Sequence, residues 1–570
     1  MPKIDVYEQA FFDYLGTRLE TENLEQLLTA AKAELDAEAD ERGIAKFELN
    51  DTNRPDLWSA AGLARQLRIY RRGEMPTYDF VSRDGDMKDP QERRFMVDPE
   101  LEHTRPYLVA FAVAGKHIDE PGLLDLIQTQ EKLAWNYGRK RKSVAIGVYR
   151  SALVKYPIHY VAADPETTQF QPLGTERTMT LRQILTEHPK GQEFASLVEG
   201  FPKMPLLKDD RGEIVGFPPI INSAYIGGVQ QGDWQLFVEM TGLDMEQLLL
   251  TGNIIACDLA DHGYRVLPIR VVYPYDTPYG REIVTPYYFQ KPHTVQVADA
   301  EKMLGVSLTA DQVVESLGRM GVEAEADGDS VTAYPPVYRN DFLHPVDVIE
   351  DIMIGLGMDS FEPAMPSEYT VGRLSEAEIF SRRAKNIMVG LGYQEMIFNY
   401  LGSHREFIEW MYPEEEREAI AREFVKVSNP LSENYEYVRH SIIPHLLSAE
   451  SVSANASYPH LIFEAGKIVR QDASENYGSR TVNALGFLAA ESDADFNLMN
   501  SHVTSLFYYL GYEHALEELD DPRFIPGRTA AILVDGVQVG IFGEIHPRVL
   551  ESWGIQVPCS AAEIDMDALR

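Results

Sequence analysis

Residues 338–357 read YRNDFLHPVDVIEDIMIGLG, and four carboxylates in this stretch are spaced to meet: Asp341, Asp347, Glu350 and Asp351. Pro345 suits the first turn of a helix, where a missing N–H costs nothing. On that helix Asp347, Glu350 and Asp351 stand at i, i+3 and i+4 and so share one side, while Asp341 lies just ahead and can fold back onto it. Val346, Ile349, Met353 and Leu356 recur at helical spacing and predict the buried face. Like charges this close repel by roughly 0.2–0.5 kcal/mol per pair even on an exposed helix, and a hard divalent cation removes that penalty. An all-oxygen donor set without His or Cys favours Mg²⁺ or Ca²⁺ over zinc. The twelve-residue calcium-loop spacing is absent, which makes Mg²⁺ the preferred ion. A second reading needs no ion at all. Acidic side chains near a helix N-terminus are favoured by the macrodipole, and a chain this acidic produces such clusters by chance.

The elements that position these residues belong to a long chain. Its 570 residues suggest roughly three to five domains at about 100–200 residues each. With 44% hydrophobic and 25% charged residues it has the make-up of a soluble globular protein. No run of about 18 apolar residues marks a membrane span, and the mixed, acidic first residues do not read as a signal peptide. Cys257 and Cys559 alone build neither a disulfide framework nor a zinc site, which points to a reducing cytoplasm. A formal net charge of −37 speaks against nucleic-acid binding by the surface at large, because Lys and Arg drive phosphate contact. An RNA partner therefore needs a local patch. Gly138-Arg139-Lys140-Arg141-Lys142 is the densest positive cluster. It reads equally as a helix end favoured by the dipole and as a phosphate contact.

In chain order, residues 1–75 predict a small α/β unit. Leu24, Leu27, Leu28, Ala31 and Leu35 form one helical stripe with Thr21 as a candidate cap. A second helix follows the turn Asn53-Arg54-Pro55-Asp56 and begins near Pro55. Residues 76–94 are polar, with Gly and Pro, and predict a linker. Residues 95–285 form the largest segment, with strand-like runs at 107–114, 143–148, 254–258 and 266–273 between helices, a mixed α/β pattern. Residues 286–361 predict two short helices, at 299–304 and 311–320, and a hairpin over 322–334 with its turn at Asp327-Gly328, together a winged-helix-like unit. Residues 362–570 carry alternating runs such as 530–534 and 539–542, which indicate an antiparallel sheet. The fold class is therefore α+β, multidomain.

Several of these stretches together resemble one family, the β subunit of phenylalanyl-tRNA synthetase of the short archaeal and eukaryotic type. Arg339-x-Asp341, Asp347-x-x-Glu350-Asp351 and Gly355-x-Gly357 match its metal-loop signature, and the resemblance implies that the four acids bind Mg²⁺. The Asn-Arg-Pro-Asp turn is similar to a segment of the same subunit. Phe217-Pro218-Pro219-Ile220-Ile221-Asn222-Ser223 is similar to an editing-domain motif, and Glu239-Met240-Thr241-Gly242 matches Asp-x-Thr-Gly apart from its first acid. Val438-Arg439-His440-Ser441, Phe463-Glu464-Ala465-Gly466-Lys467, Pro526-Gly527-Arg528-Thr529-Ala530 and Gly543-Glu544-Ile545-His546-Pro547 extend the resemblance in order.

For residues 95–285 the resemblance implies an editing domain that hydrolyses tyrosine wrongly attached to tRNA(Phe), with Glu131, Arg141, Leu207, Asn222, Glu239 and Thr241 at its pocket. The chemistry is reasonable. An apolar pocket rejects an added hydroxyl by only around 10²-fold, whereas a site built to hydrogen-bond it discriminates by about 10⁴–10⁵-fold. Glu131, Asn222 and Glu239 are candidates for that bond. Two positions depart from the family: Glu239 replaces its Asp, and Gly216 stands where Ser is expected. For residues 362–570 the resemblance implies a class II synthetase fold without a working active site. The sequence has no Gly-x-Gly-x-x-x-Glu-Arg box and no phosphate-cradling Gly-x-x-x-x-Gly-Lys loop, so Arg439, His440 and Arg528 are expected to be structural or interfacial. ATP and phenylalanine are expected on a separate α chain in an α₂β₂ assembly, with no aminoacylation residue on this chain. Two other readings use the same residues: a free-standing aminoacyl-tRNA deacylase, and a scaffold subunit whose editing site has decayed.

Overall fold

The computed structural model describes residues 2–83, 90–367, 369–453 and 455–570. Residues 84–89 of the predicted linker lie outside them. The chain divides into two compact units, Met1–Met365 and Pro366–Arg570.

The first unit begins with a three-stranded antiparallel sheet in which Ile44–Leu49 pairs with Lys3–Tyr7 and Ala33–Ala37. The apolar stripe expected to form one helix is split. The helix Thr21–Leu28 and a 3-10 turn Thr29–Ala31 end at Lys32, which takes a left-handed φ of 48°. Leu35 therefore lies on the strand Ala33–Ala37, not on the helix. Thr21 is the first helical residue rather than a cap. Pro55 opens a 3-10 turn, Pro55–Leu57; the helix proper, Ala60–Arg72, starts after Ser59, whose hydroxyl accepts the Gly62 N–H.

A ten-stranded mixed sheet forms the body of this unit. Its path runs Ile221–Asn222, Ile214–Phe217, Met204–Lys208, Ile158–Ala163, Arg94–Val97, Arg265–Val272, Tyr107–Ala114, Gln235–Gly242 and Val144–Arg150, with Glu282–Thr285 beside Arg265–Val272. Strands match the predicted runs at 107–114, 143–148 and 266–273 to within two residues at each end. The run at 254–258 is not a strand. It belongs to the helix Met245–Asp261, in which Leu248 to Leu259 are buried without a break. A helix enclosed on all sides has no polar face, so its apolar run carries no period that separates it from a strand.

At the end of this unit a three-stranded sheet, His293–Gln296, Ser330–Tyr334 and Glu323–Asp327, packs with the helices Val297–Leu304, Ala310–Arg319 and Pro345–Leu356. Asp327 pairs with Ser330, so the hairpin turn is Gly328-Asp329, one residue later than the sequence suggested. Gly328 takes φ 62°, a left-handed value that glycine adopts freely.

The second unit is built on a seven-stranded sheet in the order Gln394–Glu395, His460–Gln471, Ser479–Ala490, Cys559–Asp565, Val537–Ile545, Phe524–Val534 and Ala515–Glu518. All pairings are antiparallel except that of the short first strand. Alternation along Ser479–Ala490 sends Leu485, Phe487 and Ala489 to one face and Ala484, Leu488 and Ala490 to the other. Helices Glu376–Gly390 and Phe496–Leu510 cover the first face through Met388, Val503 and Phe507. Helices Ile443–Ser451 and Pro547–Trp553 cover the second through Leu446, Leu447 and Val549. Each such side chain contributes about 1.5–3 kcal/mol of burial. Among the described residues no helix is long and apolar enough to cross a membrane.

Candidate functional site

In the first unit a cavity of about 340 Å³ is walled by Leu123, Leu126 and Ile127 of the helix Glu120–Lys132, by the paired strands Val144–Arg150 and Gln235–Gly242, and by the turn after Phe217. Its polar lining comes from Gln130, Arg141, Lys190, Asn222 and Glu239.

Glu239 is the unusual member. It is 2% exposed. One carboxyl oxygen, Oε1, accepts the Tyr149 hydroxyl at 3.0 Å, and the other, Oε2, has no hydrogen-bond partner. Burial pushes this carboxyl up to about 7, against the lowering pull of the Tyr149 hydroxyl and the Arg105 charge. Tyr149 is held by stacking on Phe237, with ring centroids 4.6 Å apart. Its phenol fits because two neighbours are glycines. A Cβ on Gly216 would come within 2.7 Å of the Tyr149 hydroxyl, and one on Gly147 would come within 2.6 Å of Glu239 Oε1. The space that a side chain at Gly216 would need is thus filled by Tyr149.

Arg141 donates to the carbonyls of Pro219 and Ile220, at 3.0 and 2.9 Å, and so ties the basic run to the turn that walls the cavity. Its backbone is unusual. After one π turn, Leu133–Tyr137, the residues Arg139, Lys140 and Arg141 adopt φ of 50°, 54° and 66°. A left-handed conformation costs a non-glycine residue roughly 1–2 kcal/mol. In return the N–H groups of Lys140 and Arg141 satisfy the carbonyls of Trp135 and Ala134 at 2.8 and 2.9 Å, closing the helix end.

Asn222 lines the cavity and donates from Nδ2 to the Val148 carbonyl at 3.2 Å. Thr241 and Leu207 stand behind the wall rather than in it. The Thr241 hydroxyl accepts from Arg105 Nε at 2.9 Å, fixing the cation whose charge acts on Glu239. Leu207 is fully buried and pairs across the sheet with Gly216. Glu131 is set apart: it is exposed on its helix, and its neighbour Gln130 faces the cavity instead, donating to the Ile146 carbonyl at 2.7 Å. Gln130, Lys190 and Tyr149 were not foreseen. Gly216 carried the one available signal for Tyr149, since a missing side chain in a packed wall implies a larger neighbour.

The four acids of residues 341–351 are dispersed. Arg339, 2% exposed, donates to both oxygens of Asp341 at 3.0 and 2.6 Å and to both of Asp351 at 2.5 and 3.2 Å. Burial raises the Asp341 carboxyl, but Arg339 outweighs it and holds the group at about 2. For Asp351 burial prevails and the shift is upward. Asp347 accepts the N–H groups of Leu343 and His344, both at 2.7 Å, as part of a capping box. Glu350 is bound by Lys32 at 2.5 Å.

The buried face of this helix is Val348, Ile349, Ile352 and Gly355, with Val346 exposed. Asp347, Glu350 and Asp351 lie on one helix, turned so that Asp351 points inward at Arg339 while Glu350 is exposed. Among the described residues no group of three or more His, Cys, Asp or Glu is gathered to hold a metal. Arg339 and Lys32 offset part of the repulsion among the acids, while Asp347 is held by backbone N–H groups alone. The Asn-Arg-Pro-Asp turn joins the same network. Arg54 pairs with Asp56 at 2.8 Å, and its charge acts on Arg339 and Asp341.

In the second unit Arg439 is fully buried. It makes two bonds to Glu464, at 2.6 and 3.0 Å, and one to the Lys467 carbonyl at 2.7 Å. It is part of the fold. His440 lies beside Phe424, and burial lowers its pKa. Arg528 is exposed and pairs with Glu544 at 2.7 Å.

Comparison with known proteins identifies the family. A family model described as the phenylalanyl tRNA synthetase beta chain CLM domain matches residues 362–566, and one described as the tRNA synthetase B5 domain matches residues 293–358. The phenylalanine–tRNA ligase beta subunit of Borreliella burgdorferi (strain ZS7) is 45% identical over 571 residues, covering 100% of this chain and 99% of the relative. That of Borrelia hermsii (strain HS1 / DAH) is 44% identical over 570 residues and 100% of both chains. The crystal structure of an N-terminal fragment of the phenylalanyl-tRNA synthetase beta subunit from Pyrococcus horikoshii is similar with a TM-score of 0.58 and 35% identity, covering 62% of this chain and 100% of the fragment. Similarity of this extent, running the whole length of the chain, makes it a member of the phenylalanine–tRNA ligase β subunit family.

Proposed function

We propose that this ligase subunit works with a separate α chain in an α₂β₂ assembly that attaches phenylalanine to tRNA(Phe), and that its cavity hydrolyses tyrosine misattached to that tRNA. ATP and phenylalanine bind on the α chain. Phenylalanyl-tRNA synthetases are generally Mg²⁺-dependent. Because Asp341, Asp351 and Glu350 already hold Arg339 and Lys32, the ion is assigned to the ATP phosphates on α, the usual partners of Mg²⁺ at nucleotide sites.

The observation that carries the editing reading is Glu239 Oε2, buried, unpartnered and at the cavity. A buried acceptor without a partner costs about 1–3 kcal/mol. A tyrosyl hydroxyl placed there relieves that cost, whereas a phenylalanyl ring leaves it in force. The same bond thus selects the wrong amino acid for hydrolysis. Tyr149 occupies Oε1, so one oxygen alone is offered. Gly216 and Tyr149 fit each other, which supports a retained pocket rather than a decayed one. The lining residues include no serine, threonine or cysteine, so the ester is attacked by water directly, with Gln130, Asn222 and Lys190 available to orient the substrate.

The test compares wild type with Glu239→Leu, which has no acceptor, each assembled with α. Tyrosyl-tRNA hydrolysis is expected to fall about 10-fold or more, the scale of one lost hydrogen bond to a charged group, with phenylalanylation unchanged. Equal hydrolysis rates would overturn the assignment.

A further inference from the structure

Building on the reading that the cavity takes the acylated end of an RNA, we propose that Trp135 and Lys140 form a stacking platform at its mouth for the unpaired 3′-terminal base, with Arg139 and Lys142 meeting the adjoining phosphates.

The chain holds 89 acidic against 52 basic residues, so most of its cations have a carboxylate within reach. Among the described residues, none is paired with Arg139, Lys140 or Lys142. All three are exposed. Beside them Trp135 is 46% exposed, with Lys140 Nζ 5.2 Å from its ring centroid. The edge of Trp135 meets Phe194 at 6.5 Å and 82°. Phe194 in turn lies under the Arg141 guanidinium at 4.2 Å and Lys190 Nζ at 5.6 Å. Arg141 and Lys190 line the cavity. A continuous series of rings and cations therefore leads from open surface to the cavity that holds Glu239.

The left-handed run at Arg139, Lys140 and Arg141 produces this arrangement, because it sends Lys140 over Trp135 and Arg141 into the cavity wall. A helix end favoured only by its dipole needs neither the strained backbone nor an exposed tryptophan. Aromatic faces flanked by cations bind single-stranded bases with little regard to sequence. Such a platform suits a terminus that is the same whatever lies beyond it.

The experiment uses the complex with α and a hairpin RNA whose unpaired 3′ end carries 2-aminopurine in the terminal position. With wild type, binding quenches the 2-aminopurine fluorescence. Trp135→Ala abolishes the quenching and raises Kd about 10-fold or more, Trp135→Phe retains part of both, and Lys142→Ala lowers the salt slope by about one. The same hairpin without its unpaired end is indifferent to Trp135. Quenching and Kd unchanged in Trp135→Ala would overturn the platform, even if tyrosyl-tRNA hydrolysis persists. Conversely, Trp135-dependent quenching in a complex that hydrolyses no tyrosyl-tRNA would leave the platform standing and remove the editing reading.

Discussion

Two buried glutamates, one in each unit, show how a fold and a site use the same side chain differently. Glu464 and Glu239 both sit on interior strands, 3% and 2% exposed. Glu464 has both oxygens bound by the Arg439 guanidinium. Glu239 has one oxygen on a neutral phenol and the other on nothing. The first arrangement is closed: every valence is used inside the protein, and nothing is left for a ligand. The second is open: Oε2 is buried without a partner on a residue that lines the cavity, and on the editing reading proposed above a tyrosyl hydroxyl completes it.

The comparison breaks most visibly at the closed pair. Arg439→Met strands the Glu464 carboxylate in the core, and removing one partner of a buried ion pair costs about 3–5 kcal/mol. Urea unfolding is expected to show that loss. A change below about 1 kcal/mol would mean that water reaches Glu464 and that the pair is not closed.

The open glutamate gives the next largest effect, and it depends on pH. Because burial lifts Glu239 from its ordinary 4.5 to about 7, the native chain retains a proton across that window that the unfolded chain has released. Stability therefore declines as pH rises from about 4.5 to 7, by roughly 3 kcal/mol in full. Glu239→Gln has no such proton. The two proteins are expected to have similar stability below pH 4.5 and to diverge up to pH 7, with the Gln variant the more stable. Parallel stability curves across that range would show that Glu239 is solvated, and the contrast with Glu464 would vanish.

How much of this was legible in the sequence follows the same division. Arg141, Asn222 and Glu239 could be assigned to one pocket because the motifs around them resemble a family's, and the structure places all three on the cavity. Tyr149 could not be found that way. It is defined by what Gly147 and Gly216 lack, and those glycines meet only through the sheet. Residue spacing put Asp347, Glu350 and Asp351 on one helix side, but it could not fix the rotation of that helix. The rotation was decided by Arg339, buried in the preceding loop. The buried helix Met245–Asp261 was hidden for a different reason: with nothing polar facing out along its middle, its period was erased.

The smallest expected effect concerns the acids of residues 341–351, which resemble a metal site and are built as a closed network. Lys32 and Glu350 are 29% and 45% exposed at the side chain, so solvent screens their pair and Lys32→Ala is expected to cost under about 1 kcal/mol. Chelation with EDTA is expected to leave the unfolding midpoint unchanged in wild type and variant alike. An ion bound to the native state alone stabilises it by RT ln(1 + [L]/Kd), so millimolar Mg²⁺ provides a sensitive measure. If added Mg²⁺ raises the midpoint, the acids have opened to receive it. If it does so more in Lys32→Ala, a carboxylate that Lys32 had held, Glu350 or Asp51, is one of the ligands. No response to Mg²⁺ in either protein would place this cluster with Glu464 rather than with Glu239.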